Sequence, residues 1–486
     1  MLSKYSVSVL AAAGLASAQE TVLGVYIFSR HGDRTAKSTP PANLTDLGYN
    51  EVYTSGTYFR NRYIASDASS RIFGMNSDLV KQSQIVASAP TDTVLQNSAM
   101  GFLQGLYPPV GETLGRNTLR NGTSVQTPLN GYQLIPLQTV QTGTNSENAA
   151  WLQGSTNCAN AQISSNDYFN SAEYLETYNA SQPLYDSVVP MVNRTFSASQ
   201  TNFQNAYTIW DLLNVASIHN SSTNFPNADL LTPDVFDQLF WLANNHEFNL
   251  AYNNSEPIRA ITGAILANEV VTALNTTITS NGKSKLNIQF GAYAGMLSFF
   301  GLANLTQASP DFFGIPDYAS TLTWELVTNA TVENGKYPST NDISVRFLFH
   351  NGTTSNTSTP TEFPLFGGDV SPLPWNDFVN GMNKFSIKSQ ADWCTACGNS
   401  TGVCASSSDS SSSSNAADND GGNGGSGISN AVAGVIGAMV TLAVVLGAEL
   451  LIMLVAGLRV VRKKTLNALR GGHAISPVGS ETAQKA

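Results

Sequence analysis

The feature that most constrains the fold of this 486-residue chain is an apolar run that ends in basic residues. The run from Val22 to Phe28 predicts a buried strand, and Arg30-His31-Gly32-Asp33-Arg34 comes after it almost at once. Open α/β sheets bind ligands in the crevice beyond the carboxyl ends of their strands. This junction therefore predicts an α/β fold with a binding site at the end of its first strand.

The five residues 30–34, called the pentad below, carry the side chains that phosphoryl transfer requires. The imidazole of His31 can attack phosphorus and form a phosphoramidate that water later cleaves. The guanidiniums of Arg30 and Arg34 can hold phosphate oxygens in a fixed fork geometry. A basic surface turn is the alternative, but five such residues after a buried strand favour a phosphate site.

Charge and targeting signals indicate an exported protein that does not bind nucleic acid. The net charge of −10 gives a surface that repels polyanions. Residues 1–18 are typical of a signal peptide, because Lys4 precedes a short apolar run and Ala16-Ser17-Ala18 forms a cleavage site. The rest of the chain carries twelve N-glycosylation sequons, at Asn43, Asn121, Asn179, Asn193, Asn220, Asn253, Asn275, Asn304, Asn329, Asn351, Asn356 and Asn399.

Four cysteines, an even number, favour disulfides in an exported chain. Three pairings of Cys158, Cys394, Cys397 and Cys404 are possible. The Cys394-x-x-Cys397 spacing also suits zinc, but no histidine lies nearby in the sequence. We therefore predict structural disulfides, with no metal and no cofactor.

The C-terminal part predicts a membrane anchor. Residues 405–427 are Ser-, Asp- and Gly-rich and predict a flexible stalk. Residues 431–458 are apolar and long enough to cross a bilayer, and the basic residues that open the tail, 459–486, place that tail in the cytoplasm. The prediction is a single-pass type I membrane protein with an extracellular or lumenal ectodomain. A cleaved GPI signal is the rival, and the polar tail argues against it.

The ectodomain pattern alternates strands and helices, which indicates an α/β domain. The region around 110–245 lacks clear strands and predicts a helical insertion that covers the sheet. Strands are predicted at 84–88, 285–290 and 344–349, and helices at 91–106, from Thr232-Pro233 onward, and at 261–274.

Several segments besides the pentad resemble the histidine acid phosphatases, in the branch of fungal phytases and acid phosphatases. These segments are 44–48, 60–63, 85–89, 268–271, 286–290, 345–349 and 375–379. The resemblance covers roughly residues 22–397. It implies a phosphoglycerate-mutase-like three-layer α/β/α domain within residues 19–400, a smaller helical cap, a site between them and no metal. It also implies that His31 is the nucleophile, that Arg30 and Arg34 bind phosphate, and that the substrate is a phosphorylated small molecule.

Three positions depart from the family pattern at the expected site. The family has an arginine just before the Val-Ala-Ser strand as a third phosphate-binding residue, and here that position is Gln84, which can donate a hydrogen bond but brings no charge. A His-Asp pair expected after Phe290 is replaced, with Ala292 at the histidine and Tyr293 at the aspartate. Because a tyrosine hydroxyl titrates near about pH 10, Tyr293 is a weak substitute for the missing proton donor.

Other residues are candidates for the missing donor. Asp33 could donate a proton or could cap the helix that comes after it. His246-Glu247 is interpreted first as a solvated helix end and second as a displaced acid. His219 and His350 adjoin sequons, so they are predicted to be exposed, and no role is assigned to them.

Two functions from different classes are consistent with these residues. The first is a phosphomonoesterase that works through a phosphohistidine at His31. The second is a catalytically inactive relative, a surface glycoprotein that binds a phosphorylated ligand or has a structural role. The pentad favours the first, and the missing donor favours the second.

Overall fold

The computed structural model describes residues 20–140, 157–219, 225–332, 335–401 and 404–405. The predicted signal peptide, transmembrane helix and tail, and the predicted stalk except Ala405, lie outside the described residues. The structure therefore describes most of the region that the sequence predicts to be the ectodomain.

The described residues form ten strands and twelve helices longer than a single 3₁₀ turn. The strands are β1 Thr21–Arg30, β2 Ile85–Pro90, β3 Arg116–Thr118, β4 Ser124–Gln126, β5 Leu137–Val140, β6 Leu286–Gly291, β7 Thr321–Thr328, β8 Ile343–His350, β9 Thr361–Glu362 and β10 Leu373–Pro374. The helices are α1 Asp46–Tyr63, α2 Thr93–Leu106, α3 Gly111–Leu114, α4 Pro128–Gly131, α5 Ala159–Asp167, α6 Ala172–Val192, α7 Ala206–His219, α8 Pro233–Ala251, α9 Ile261–Thr279, α10 Tyr293–Leu302, α11 Trp375–Asn383 and α12 Gln390–Cys397.

Eight of the strands form one mixed sheet in the order β10-β8-β7-β1-β6-β2-β5, with β9 beside β8. β1, β6, β2 and β5 run parallel, whereas β7 and β8 are antiparallel to their neighbours. β1 lies at the centre, so both its faces are covered and its sequence is a nearly continuous apolar run. Its carboxyl end, which leads into the pentad, shares an edge of the sheet with the ends of β6 and β2.

Strand side chains alternate between the two faces of the sheet, so both faces carry apolar residues. Helices cover both faces. Val25 and Ile27 face a hydrophobic cluster that includes residues of α1 and α2. Tyr26 and Phe28 face the other cluster, which includes residues of α6 to α11. The predicted α/β architecture with a central sheet is thus confirmed, and the helices of the predicted insertion pack on the same apolar cluster as β1.

The predicted elements are found with small shifts at their ends. Thr232 caps α8 by accepting from Val235 N, and Pro233 is the first helical residue, as expected. The region around 110–245 is not wholly helical, because it contains the β3–β4 ribbon and β5, which joins the main sheet. The sequence patterns missed β7, although its segment is buried throughout. The chain from Pro257 to Thr279 is apolar enough to span a membrane, but α9 is a core helix packed against β1 and α10.

Both predicted disulfides are present. Cys158 pairs with Cys397, and Cys394 pairs with Cys404. All four sulfurs belong to a small hydrophobic cluster with Trp393. The pairing joins the start of α5 to the end of the domain, so the Cys394-x-x-Cys397 motif serves two separate bridges.

Candidate active site

The register of two parallel strands brings the pentad beside the altered end of β6. Arg30 is the register partner of Gly291. His31 and Ala292 therefore come directly after paired positions, and Tyr293 opens α10 one residue later. The positions expected for nucleophile and proton donor are brought together here, with alanine and tyrosine on the donor side.

His31 is fully buried, and its ring orientation is fixed by the backbone. Its Nδ1 lies 2.8 Å from the carbonyl oxygen of Gly32. A carbonyl only accepts hydrogen bonds, so Nδ1 carries the proton and Nε2 carries the lone pair. The ring centre of Tyr318 lies 5.6 Å from that of His31. This arrangement leaves Nε2 as the ring nitrogen that can attack when the ring is neutral.

Gly32 is required for close packing rather than only for approach to an anion. A Cβ atom at Gly32 would lie 2.2 Å from the carbonyl oxygen of Gly48 on α1. Real Cβ atoms do not come that close, so any larger residue would push the pentad away from α1. The Gly32 amide also donates to Ser98 Oγ on α2 at 3.2 Å. Both helices thus hold the loop that carries His31.

Arg30 lies between two tyrosine rings. Its guanidinium carbon is 5.1 Å from the ring centre of Tyr293 and 4.7 Å from that of Tyr318. The guanidinium also donates to the carbonyl of Pro316. Only 2% of Arg30 is exposed. The stacking leaves this cation next to His31 without a carboxylate salt-bridge partner among the described residues.

Arg34, in contrast, is paired with a buried carboxylate. Its guanidinium lies 3.0 Å from Asp211 on α7 and donates to the Tyr207 hydroxyl at 2.9 Å. Asp211 also accepts from the Lys37 amide at 2.8 Å. The Lys37 ammonium lies 5.7 Å from the ring centres of Tyr207 and Tyr293. Lys37 therefore supplies a third cation near the site, which the sequence patterns do not reveal.

Asp33 is fully buried and does not cap α1 directly. Thr45 is the N-cap, because its hydroxyl accepts from Gly48 N at 3.1 Å. The Asp33 carboxylate accepts from that same hydroxyl and lies 2.6 Å from Nε2 of His219. Its amide donates to Glu51 at 2.7 Å. Burial, with the charge of Asp33 adding to it, raises the pKa of the Glu51 carboxyl to about 7.

Glu247 lies beside Tyr293, which corrects the prediction of a solvated helix end. His246 and Glu247 fall within α8, and the Glu247 carboxylate accepts from the Tyr293 hydroxyl at 2.7 Å and lies 2.8 Å from His246 Nδ1. Burial raises the pKa of Glu247, but the bonds to His246 and Tyr293 and the charge of Lys37 outweigh it, so the net pKa is lowered. The lowered pKa favours the carboxylate form of Glu247, which accepts the hydrogen bond from the Tyr293 hydroxyl.

Gln84 lies at the other edge of the sheet, so its assignment as a phosphate-binding position is wrong. It precedes β2, and the roughly 20 Å length of that strand separates it from the shared carboxyl edge. Its amide donates to Gly74 O and accepts from Asn76 N, in the loop beside the start of β1. Residues 82–115 contain no lysine or arginine that could replace it.

The prediction of exposed histidines holds for His219 but not for His350. His219 is exposed and also contacts Asp33 of the pentad, whereas His350, at the end of β8, is only 9% exposed. The residues at the site that sequence patterns missed are Lys37, Glu51, Tyr207, Asp211, His219 and Tyr318. One available signal was the spacing of Tyr207, Asp211 and His219, polar residues separated by four and eight positions on an otherwise largely apolar helix.

Together, the sheet order and the buried imidazole with its flanking guanidinium define a class: α/β proteins with a phosphate-type site at the end of a central parallel strand. A sequence model described as "Histidine phosphatase superfamily (branch 2)" matches residues 39–350. The chain belongs to this family. The matched range begins five residues after the pentad, so the pentad supports the family assignment independently of this match.

Solved structures with the same fold include three bacterial phytases. The apo phytase of Hafnia alvei has a TM-score of 0.51 at 16% identity, covering 79% of this chain and 99% of that one. The Citrobacter braakii phytase gives 0.51 at 15%, covering 78% and 99%, and the Klebsiella sp. ASR1 phytase gives 0.51 at 12%, covering 76% and 96%. No curated protein sequence matches the chain. At these identities the likeness shows the fold alone.

Proposed function

We propose that this protein hydrolyses phosphomonoesters through a phosphohistidine intermediate at His31. The observation that carries the proposal is the orientation of His31, whose Nδ1 donates to Gly32 O and whose Nε2 therefore holds the attacking lone pair. Arg30 adjoins it, and Arg34 and Lys37 lie close by. Three cations can neutralise the charge that an incoming phosphate brings and that builds in the transition state.

The reaction divides into two displacements at phosphorus. His31 Nε2 forms the N–P bond as the bond to the leaving oxygen breaks, and that oxygen takes up a proton. Water then attacks phosphorus, loses a proton, and releases inorganic phosphate and free His31. Because His31, Arg30 and Arg34 are at most 2% exposed, a phosphate reaches them only after covering groups such as Tyr318 move.

The substrate class and setting extend the same proposal. The fold is shared with proteins named as phytases, so an inositol phosphate is the first substrate to test. We place the enzyme at a membrane of the secretory route, facing outward. Support comes from the two disulfides and from the sequons: eleven of the twelve asparagines lie in the described residues, and none of the eleven is buried.

The test uses the full-length protein in detergent, an aryl phosphate, an inositol phosphate and His31→Ala. The parent is expected to release phosphate and to trap phosphate on histidine in an alkaline quench, whereas His31→Ala does neither. If the parent turns over no substrate and no phosphohistidine forms, the enzyme proposal fails. The inactive phospholigand-binding or structural glycoprotein is then the correct alternative.

A further inference from the structure

Three polar residues of α7 contact the pentad. Tyr207 and Asp211 are four residues apart and adjoin on the helix surface, and His219 is the last residue of the helix, about two turns further along. The first two bind Arg34, and His219 binds Asp33. Two neighbouring pentad residues thus have polar partners on the same helix, and the end of α7 brings a second histidine to the pentad.

His219 and Asp33 form a histidine–carboxylate pair two residues along the chain from His31. Nε2 lies 2.6 Å from Oδ2, and the Asp33 side chain is 0% exposed while that of His219 is 36% exposed. The imidazole is therefore the accessible member of the pair. A buried carboxylate on Nε2 fixes the ring orientation and leaves Nδ1 as the ring nitrogen that faces away from Asp33.

The groups around this pair are themselves paired or carboxylic. Glu51 accepts from the Asp33 amide. Arg34 has Asp211 as its own carboxylate partner. The His219–Asp33 pair is thus bordered by the carboxyl group of Glu51 and by a guanidinium whose charge Asp211 already balances.

The donor candidates at the end of β6 are less suited to the task. Ala292 has no proton to give, and the Tyr293 hydroxyl already donates to Glu247. We infer that His219, oriented by Asp33, is the acid that protonates the leaving group, in place of the pair absent from β6. This inference rests on the proposed function and assigns His219 a catalytic role and Asp33 a positioning role.

The proton balance is complete without another reactant. As His31 Nε2 bonds to phosphorus and the P–O bond breaks, the leaving oxygen takes the proton from Nδ1 of the His219 imidazolium. Nε2–H of His219 stays bonded to Asp33. In the second step, neutral His219 takes a proton from the attacking water through Nδ1, the N–P bond breaks, and the imidazolium is restored.

The test compares leaving groups, because an aryl oxide departs without help and an alkoxide does not. Full-length parent, His219→Gln and His219→Ala are assayed on p-nitrophenyl phosphate and on glycerol 2-phosphate. Gln can still donate to Asp33 but has no proton to transfer. The quantity compared is kcat/KM, because it depends only on the steps up to departure of the leaving group and not on the hydrolysis of phosphohistidine that both esters share. Both variants are expected to lose about 10²-fold or more of kcat/KM on the alkyl ester and less than about threefold on the aryl ester.

His350→Gln is the matched control, since it makes the same change at a buried histidine on β8. It is expected to alter both rates equally or not at all. If His219→Gln cleaves the alkyl ester at the parent rate, or loses both activities equally, His219 is not the donor although the nucleophile proposal stands. A parent that cleaves only the aryl ester has no working donor and also overturns the inference. A parent inactive on both esters, without a phosphohistidine, overturns both proposals.

Discussion

The carboxyl ends of β1 and β6 lie side by side, yet they carry opposite chemistry. β1 ends in Arg30 and His31, a cation and a nucleophile, whereas β6 leads into Ala292 and Tyr293, which supply no charge of their own. An attacking imidazole must lie in line with the bond that breaks, so its position is strongly restricted. A proton donor needs only to reach the leaving oxygen. The proton donor can therefore come from another element, here α7, whereas the nucleophile must lie directly after β1.

The largest effect should come from removing the nucleophile at the β1 end. His31→Ala is expected to reduce kcat/KM on the aryl ester by about 10⁴-fold or more, because no other group on β1 can form the intermediate. Initial rates and phosphohistidine trapping measure this. Retention of more than about a tenth of the activity would show that the β1 end is not the reacting side.

A second change tests how Asp211 stabilises the buried Arg34 guanidinium. Asp211→Ala leaves a buried guanidinium without its carboxylate and is expected to lower the free energy of unfolding by about 3–5 kcal/mol. Urea unfolding measures it. The double variant Arg34→Met with Asp211→Leu should recover most of that loss. No recovery would mean that the pair matters for reasons other than charge.

A third change puts the His-Asp pair of the family pattern back at the end of β6. In the His219→Gln background, Ala292→His with Tyr293→Asp is expected to raise kcat/KM on the alkyl ester by about 10²-fold and to leave kcat/KM on the aryl ester nearly unchanged. Tyr293→Phe alone is the control, because it removes the hydroxyl without adding an acid. A gain of equal size on both esters would indicate altered access rather than proton donation.

The smallest effect concerns Glu51, beside the β1 end. Its pKa is raised to about 7 in the folded protein, above the unfolded value of about 4.3, so the folded state binds this proton more tightly. Stability from this group is therefore present at acid pH and is lost as pH rises through about 7. Glu51→Gln should stabilise the protein by about 2 kcal/mol at pH 8 and by almost nothing at pH 4, in urea titrations at both values. Equal gains at both values would exclude the titration of Glu51 as the cause.

Local sequence patterns predicted four of the eight strands of the main sheet but not their order. β1, β2, β6 and β8 are short apolar runs, and their hydrophobic sequence alone predicts strands. β7 was missed because its Thr-rich sequence, Thr321 to Thr328, does not stand out from the polar chain around it. Gln84 was misplaced for another reason: adjacency to a strand does not tell which edge of the sheet a residue occupies.

The site was predictable only where its residues are close in sequence. The pentad was found because five neighbouring residues carry its chemistry. The pairs Arg34–Asp211 and Asp33–His219 join residues 177 and 186 positions apart, and no local periodicity specifies such partners. They depend on how α7 packs over the sheet. The sequon beside His219 predicted its exposure correctly, but it gave no sign that the same side chain contacts Asp33.

The bridge between Cys158 and Cys397 has a consequence for proteolysis. It closes a covalent loop with a sequence separation of 239 residues that contains α6, α7, α8 and β6. A protease that cuts one peptide bond within this loop therefore leaves both fragments joined under oxidising conditions. Such a nicked ectodomain would run as one band without reductant and as two with it, and a single cut would not by itself release the domain from the chain beyond Cys397.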